Sequence, residues 1–171
     1  MRLLWTILAT ALLAACAAYS GNGLKPGEAE LDDVLRVMGK AAMRWQDSDG
    51  SIQLAYPRGP MGFHAYMAYI GADGRLQRIE NVMDEKSFAL VRAGMTKSQV
   101  VRILGPSEPS WTIYFKARDE LVWEWRYCDA WNEAARFNVL FDGDKGTVRS
   151  TMSQTEAQMG LCSHGACWCA H

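Results

Sequence analysis

The residues most able to do chemistry in this 171-residue chain are five cysteines and three histidines. Three of the cysteines and two of the histidines crowd into Cys162-Ser163-His164-Gly165-Ala166-Cys167-Trp168-Cys169-Ala170-His171. Thiolate and imidazole are the ligands that zinc and copper favour, so Cys162, His164, Cys167, Cys169 and His171 hold enough donors for a four-coordinate site. The spacing is not a paired C-x-x-C, and in an oxidising compartment the same thiols close into disulfides instead. The expectation is therefore disulfide pairing among Cys128, Cys162, Cys167 and Cys169, with Cys162 joined to Cys167 or Cys169 and Cys128 to the one left over. Four cysteines admit three full pairings, and spacing does not choose among them. A metal-binding or redox-responsive tail is the alternative. Elsewhere His64 stands among aromatics, and Glu120, Glu124, Asp129 and Glu133 read as scattered acids of a solvated face. No Ser-His-Asp grouping, Gly-rich phosphate loop or H-E-x-x-H helix occurs. No catalytic residue and no cofactor is expected.

The fifth cysteine, Cys16, ends a different kind of segment. Arg2 is followed by an apolar run from Leu3 to Ala15, broken only by Thr6 and Thr10. A basic start, a short apolar stretch and small residues before a cut are the parts of a secretory signal. The run is too short for a bilayer span, which takes about 20 apolar residues. Leu13-Ala14-Ala15-Cys16 resembles the lipobox of bacterial lipoproteins, in which cleavage precedes the cysteine and its thiol and new amine are acylated. The resemblance implies residues 1–15 as signal peptide and Cys16 as lipidation site. Ala17, rather than Asp, follows the cysteine; in that class this implies the periplasmic face of the outer membrane.

Composition narrows the partners. The chain carries 18 Lys+Arg against 19 Asp+Glu with no basic block, so a nucleic-acid partner is not expected. Seven Trp, six Tyr and five Phe favour strands with a packed aromatic face. Trp111, Trp123 and Trp125 lie close together and read as packing residues.

The elements that must position these residues follow from periodicity. Residues 16–27 read as a flexible, lipidated tether. A helix then begins near Glu28, with Leu31, Val34, Leu35 and Met38 on one face and Gly39 as its stop. Ile52, Leu54 and Tyr56 alternate as a strand; Pro57 to Gly62 is a loop; Phe63 to Ile70 is a strand; Ala72-Asp73-Gly74 turns it into another through Leu76 and Ile79. A second helix is expected from Glu85 to Arg92. Thr96-Lys97-Ser98-Gln99 is a capping box opening a third that stops at Gly105-Pro106. Strands follow through Trp111-Ile113-Phe115, Leu121 to Cys128, Phe137 to Phe141 and, after Asp142-Gly143-Asp144-Lys145-Gly146, a last one through Val148.

The two passes repeat one another. A shift of 66 lays Val34, Leu35, Val37, Met38 and Gly39 on Val100, Val101, Ile103, Leu104 and Gly105. A shift of 72 lays Met67, Tyr69, Gly74 and Leu76 on Val139, Phe141, Gly146 and Val148. The reading is an α+β protein of two tandem copies of a helix, or helix pair, on a small antiparallel sheet: residues 28–83 as a degenerate first copy, 84–152 as the second, and 153–171 as a Cys/His-rich tail.

The second copy carries a family resemblance. Gly94-Met95-Thr96-Lys97-Ser98-Gln99-Val100-Val101-Arg102-Ile103-Leu104-Gly105-Pro106 resembles the signature of BamE-like (SmpA/OmlA) outer-membrane lipoproteins. Phe137-Asn138-Val139-Leu140-Phe141-Asp142, with Gly146 and Val148, is similar to that family's terminal hairpin. The tandem plan is similar to the beta-lactamase-inhibitor-protein fold. The first copy lacks the G-M-T, and Lys40 stands where Pro106 would. The resemblance implies a non-catalytic periplasmic scaffold that binds other envelope proteins, as in outer-membrane protein assembly. The long loops at Pro57–Tyr66 and Asp129–Ala135 are the candidate contact surfaces.

Overall fold

The computed structural model describes residues 20–162 and 167–169; Cys16, with the signal segment before it, and His164 and His171 lie outside the described residues. Among the described residues the fold is α+β, with three α-helices and two antiparallel four-stranded sheets. The first helix, α1, spans Leu31–Met38; β1 (Met43–Gln46), β2 (Ile52–Pro57), β3 (Ala65–Ile70) and β4 (Leu76–Asn81) follow as a meander in sheet order β1-β2-β3-β4. Next come α2 (Glu85–Phe88) and α3 (Lys97–Leu104), then a second meander, β5 (Ile113–Phe115), β6 (Glu120–Cys128), β7 (Ala134–Asp142) and β8 (Val148–Thr155), in order β5-β6-β7-β8. Compactness groups Met1–Leu54 with Ala68–Ile79, and Ala55–Met67 with Glu80–His171. The division thus cuts across β2, β3 and β4. Within the second unit Gly105 explains part of that grouping: a side chain there would meet the Met67 methyl at 3.5 Å and Ala55 at 3.8 Å.

Both eight-residue helices form for local reasons. In α1 the i, i+3, i+4, i+7 stripe buries Val34 and Met38 completely. The Asp33 carboxylate accepts the Glu30 N–H at 3.0 Å, and Asp32 and Asp33 add negative charge to the first turn. In α3 the box is reciprocal: the Gln99 N–H donates to Thr96 Oγ1 at 3.3 Å and the Thr96 N–H to Gln99 Oε1 at 2.8 Å. Gly39 at φ 80° and Gly105 at φ 76° end the two helices in a conformation that costs a side chain dearly. Thr96→Ala removes one acceptor from an orphan N–H and is expected to lower stability by about 1 kcal/mol. Urea midpoints of the two proteins would check this, and an unchanged midpoint would refute the cap's role.

In the second unit α2 and α3 serve one face of the second sheet. Alternation along β6 turns Leu121, Trp123, Trp125 and Tyr127 one way, and register pairs them with Phe141, Val139, Phe137 and Ala135 of β7. Phe88 of α2 stacks on Phe137 at 4.1 Å and meets Tyr127 edge-on at 4.7 Å. Trp123 packs edge-on against Phe141 at 4.8 Å, and the buried Trp125 donates its Nε1–H to the Gly105 carbonyl at 3.2 Å. The latter bond ties the end of α3 to the sheet.

Four expectations change. Residues 20–27 are not a free tether: Gly21 is buried, the Leu24 N–H donates to Gly21 O at 3.0 Å, and the Gly27 N–H donates to Leu76 O at 2.8 Å. α2 covers four residues rather than reaching Arg92, because Leu90 and Val91 bond back to Ser87 and Phe88 in tighter i→i+3 turns. Trp111 does not begin a strand; Pro109–Trp111 is a 3₁₀ turn capped by Glu108, whose carboxylate accepts from Ser110 N and Oγ. The unanticipated β1 is a short, mostly exposed strand at the sheet edge, too polar and brief to alternate visibly.

Candidate functional site

The opposite face of the second sheet holds the charged side chains. Register places Glu120, Val122, Glu124 and Arg126 of β6 on it, with Arg136, Asn138 and Leu140 of β7, Ser150, Met152 and Gln154 of β8, and Ile113 and Phe115 of β5. Arg126 forks onto Glu156 through Nε at 2.8 Å and Nη2 at 2.7 Å. Arg136 reaches the same carboxylate through Nε at 2.7 Å and Glu124 through Nη1 at 3.3 Å. Two cations and two anions thus form one neutral chain, Arg126–Glu156–Arg136–Glu124. Aromatic rings close its flanks: Phe63 lies 4.3 Å from the Arg126 guanidinium and Trp111 lies 3.5 Å from that of Arg136. Arg126 also donates from Nη1 to the Met61 carbonyl at 2.7 Å, fixing the loop before β3.

The expectation of a solvated acidic face therefore fails for two residues. Glu124 is 7 % exposed and Glu120 8 %. Glu120 lies 2.9 Å from Arg118 Nη2, close enough for an ion pair, although its Oε1 has no well-directed hydrogen bond. Alternation does put the acids opposite the tryptophans, but Trp111 and Glu156 return from distant parts of the chain to close over the Glu124–Arg136 pair, and no short window shows that. Asp129 and Glu133 are half-buried; the Asp129 carboxylate accepts the N–H groups of Trp131 at 2.9 Å and Glu133 at 2.8 Å, and so builds its loop.

The two carboxylates of the charge chain shift in opposite senses. Burial pushes Glu124 up against the pull of Arg136. Burial also opposes ionisation of Glu156, but the guanidiniums of Arg126 and Arg136 outweigh it and hold that group below the usual range. A depressed folded pKa contributes stability that is present above the unfolded value and lost as pH falls through the folded one; a raised pKa does the reverse. On acidification Glu124 is expected to take a proton first, with a gain in stability, and Glu156 later, with a loss. Chemical denaturation from neutral to strongly acidic pH would read this. Glu156→Gln should be weaker at neutral pH and lose part of the acid limb; an acid limb identical to wild type would contradict the assignment.

At one end of this sheet the cysteines pair. Cys128 at the end of β6 joins Cys169, and Cys162 joins Cys167, with Cα–Cα distances of 6.0 and 5.6 Å. The Ala134 N–H donates to Cys167 O at 2.7 Å and the Cys169 N–H to Asn132 O at 3.0 Å, around an antiparallel bridge between Glu133 and Trp168. Residues 167–169 thus add a short rung beside β7, and Cys169 is buried. Residues 153–155 finish β8 and Glu156 joins the charge chain, so with the rung the segment expected as a tail supplies three structural pieces. Sulfur in a disulfide offers no thiolate to a metal. Among the described residues no three His, Cys, Asp or Glu side chains are placed to hold an ion.

The expected contact loops present apolar side chains. Met61 is 73 % exposed and Trp131 82 %, and Trp168, on the rung bridged to Glu133, is 63 % exposed. His64 stacks parallel to Tyr66 at 5.8 Å. Of the three tryptophans read as packing, Trp123 and Trp125 sit with the helices, whereas Trp111 serves the charged face. Sequence reasoning missed Glu156, Arg126 and Arg136. The sole hint was that Arg126 and Arg136 each place a charge within an otherwise aromatic or apolar strand.

Among the described residues no helix is long and apolar enough to cross a membrane. No protein-family model matches the chain, and no curated protein matches it.

Proposed function

We propose that this protein is a non-catalytic, BamE-like scaffold of the bacterial envelope, anchored through acylated Cys16 to the periplasmic face of the outer membrane. It is built from two tandem copies of one helix-and-meander unit. The repeat is supported by paired details: isolated bridges join Glu30 to Arg75 and Thr96 to Thr147, positions related by the same shifts of 66 and 72 residues. Leu76 and Val148 donate to Ala29 and Met95 carbonyls, each at 2.8 Å, under the same two shifts. Asp33 and Gln99 each cap backward onto the residue three before.

One observation carries the scaffold reading. On the outer strands of the second sheet's charged face, β5 and β8, Ile113, Phe115 and Met152 are 45 %, 40 % and 42 % exposed, flanking a buried charge chain whose forks are spent on one another. Exposed apolar side chains near a satisfied polar centre suit protein contact, where buried anchors supply the energy and rigid polar groups the fit. The test is a crosslinked pull-down from envelopes with lipidated wild type and with Ile113→Asp/Phe115→Asp. Recovery of barrel-assembly components by wild type and their loss in the folded variant is the expected result. Equal recovery by both would remove this face from consideration, and recovery of unrelated partners alone would end the BamE-like assignment.

The paired cysteines favour a second reading, a redox-responsive envelope protein that uses its C-terminal segment. Reduction would then change partner recovery, while the scaffold reading requires the oxidised form only for stability.

A further inference from the structure

In the first unit, residues 23–29 and α1 enclose an open groove of about 330 Å³, lined by Leu24, Lys25, Glu28, Asp33, Arg36 and Val37 among others. That is the lower end of the range of small-ligand sites, roughly 300–1,000 Å³. The wall opposite α1 is a fixed turn: Leu24 N–H donates to Gly21 O at 3.0 Å, and Glu28 and Ala29 N–H both donate to Lys25 O, at 3.1 and 3.0 Å. The lining holds two cations and two anions in pairs. Lys25 Nζ lies 3.4 Å from Glu28, and Arg36 meets Asp33. Both pairs are largely exposed, the four side chains lying between 39 % and 73 %. Pairs this exposed are weak, so either partner can be exchanged for a ligand charge at little cost.

The groove also stands close to the anchor. Three residues separate Cys16 from Ser20, where the described chain begins. An extended chain covers at most ~3.3–3.6 Å per residue, so the acylated cysteine lies within about 14 Å of Ser20, and the groove opens three residues further on. A headgroup of the same leaflet is therefore presented to it at high effective concentration, and a weak site suffices. The surroundings choose among headgroups. Beside the two pairs, Glu30 is answered by Arg75 at 4.0 Å, and Asp32 is the one charge left over, so the neighbourhood offers no net positive field to draw an anionic lipid.

We propose that this groove seats one zwitterionic phospholipid headgroup, its phosphate on Lys25 and Arg36 and its ammonium on Glu28 and Asp33. The proposal rests on the lipid-anchored reading above. It holds the first unit against the leaflet rather than adrift above it.

The test is amide hydrogen exchange on the mature, acylated protein in vesicles of phosphatidylethanolamine with phosphatidylcholine, and in vesicles of phosphatidylglycerol. Amides of residues 22–37 are expected to exchange about tenfold more slowly on the zwitterionic vesicles. Lys25→Gln/Arg36→Gln, at exposed positions, should stay acylated and vesicle-bound yet lose that difference. Equal exchange on the two vesicles, or protection that survives the double substitution, overturns the proposal. Intact mass separates the two failures. Should Cys16 carry no acyl chain, the anchor reading falls, and the soluble protein is titrated with dihexanoyl-phosphatidylethanolamine. Slowed exchange at 22–37 then keeps the groove as a headgroup site, and unchanged exchange removes it.

Discussion

Arg136→Ala is expected to cost about 3–5 kcal/mol of stability, read as a lower urea midpoint of the whole chain. The guanidinium is 10 % exposed and holds two carboxylates, Glu156 at 2.7 Å and Glu124 at 3.3 Å, that are themselves 6 % and 9 % exposed. Removing it strands Glu124 without its Arg136 partner and leaves Glu156 with Arg126 alone. It also removes the cation from the face of Trp111, leaving an indole against a void. Arg136→Lys should recover only part of the loss, because one ammonium cannot fork to two acids. Adding Glu124→Gln to Arg136→Ala should be less damaging than the sum of the two, since the charge left unpaired is then gone. A loss below about 1 kcal/mol for Arg136→Ala would show the chain of charges to be solvated in practice.

The second large effect belongs to the disulfides, and it is unequal. Cys128 and Cys169 are 41 residues apart, so the chain-entropy relation gives their bond about 4 kcal/mol; for Cys162 and Cys167, five apart, it gives about 2. Cys128→Ser should therefore destabilise roughly twice as much as Cys162→Ser. Limited proteolysis should separate them further. Loss of the first bond also frees the rung at 167–169 and exposes the chain after Glu156, whereas loss of the second leaves that rung tied at Cys169. Equal midpoints for the two variants, or a protease-resistant C-terminal segment in Cys128→Ser, would contradict this. For the same reason deletion of 160–171 is expected to weaken the second unit rather than merely trim it.

What could be read from the residues was what neighbours in sequence decide. The α1 and α3 stripes, the Thr96–Gln99 cap, the glycine stops and the alternation of β6 rest on contacts within a turn or across a hairpin. The elements misjudged depend on partners far along the chain. Residues 20–27 look like a tether because they are polar and glycine-rich, yet their order comes from backbone bonds such as Gly27 N–H to Leu76 O, which no side-chain pattern reports. Glu156 looks like any acid after a strand, and its burial follows from two arginines 20 and 30 residues earlier. The cysteines show the boundary well. Their types pointed to disulfides, but the choice of Cys169 for Cys128 is made by the rung that lays residues 167–169 along the start of β7.

That rung has a consequence for how the protein is made. Synthesis runs from N to C, and early segments settle first. Every strand of the second sheet and Glu156 precede Cys169 in the chain, so the Cys128–Cys169 bond can close only when the whole sheet is available to it. The bond is thus the last link in order of supply. A product stopped even two residues before Cys169 would carry all eight strands and still lack that link, and envelope proteases that favour loosened ends would meet it as a substrate.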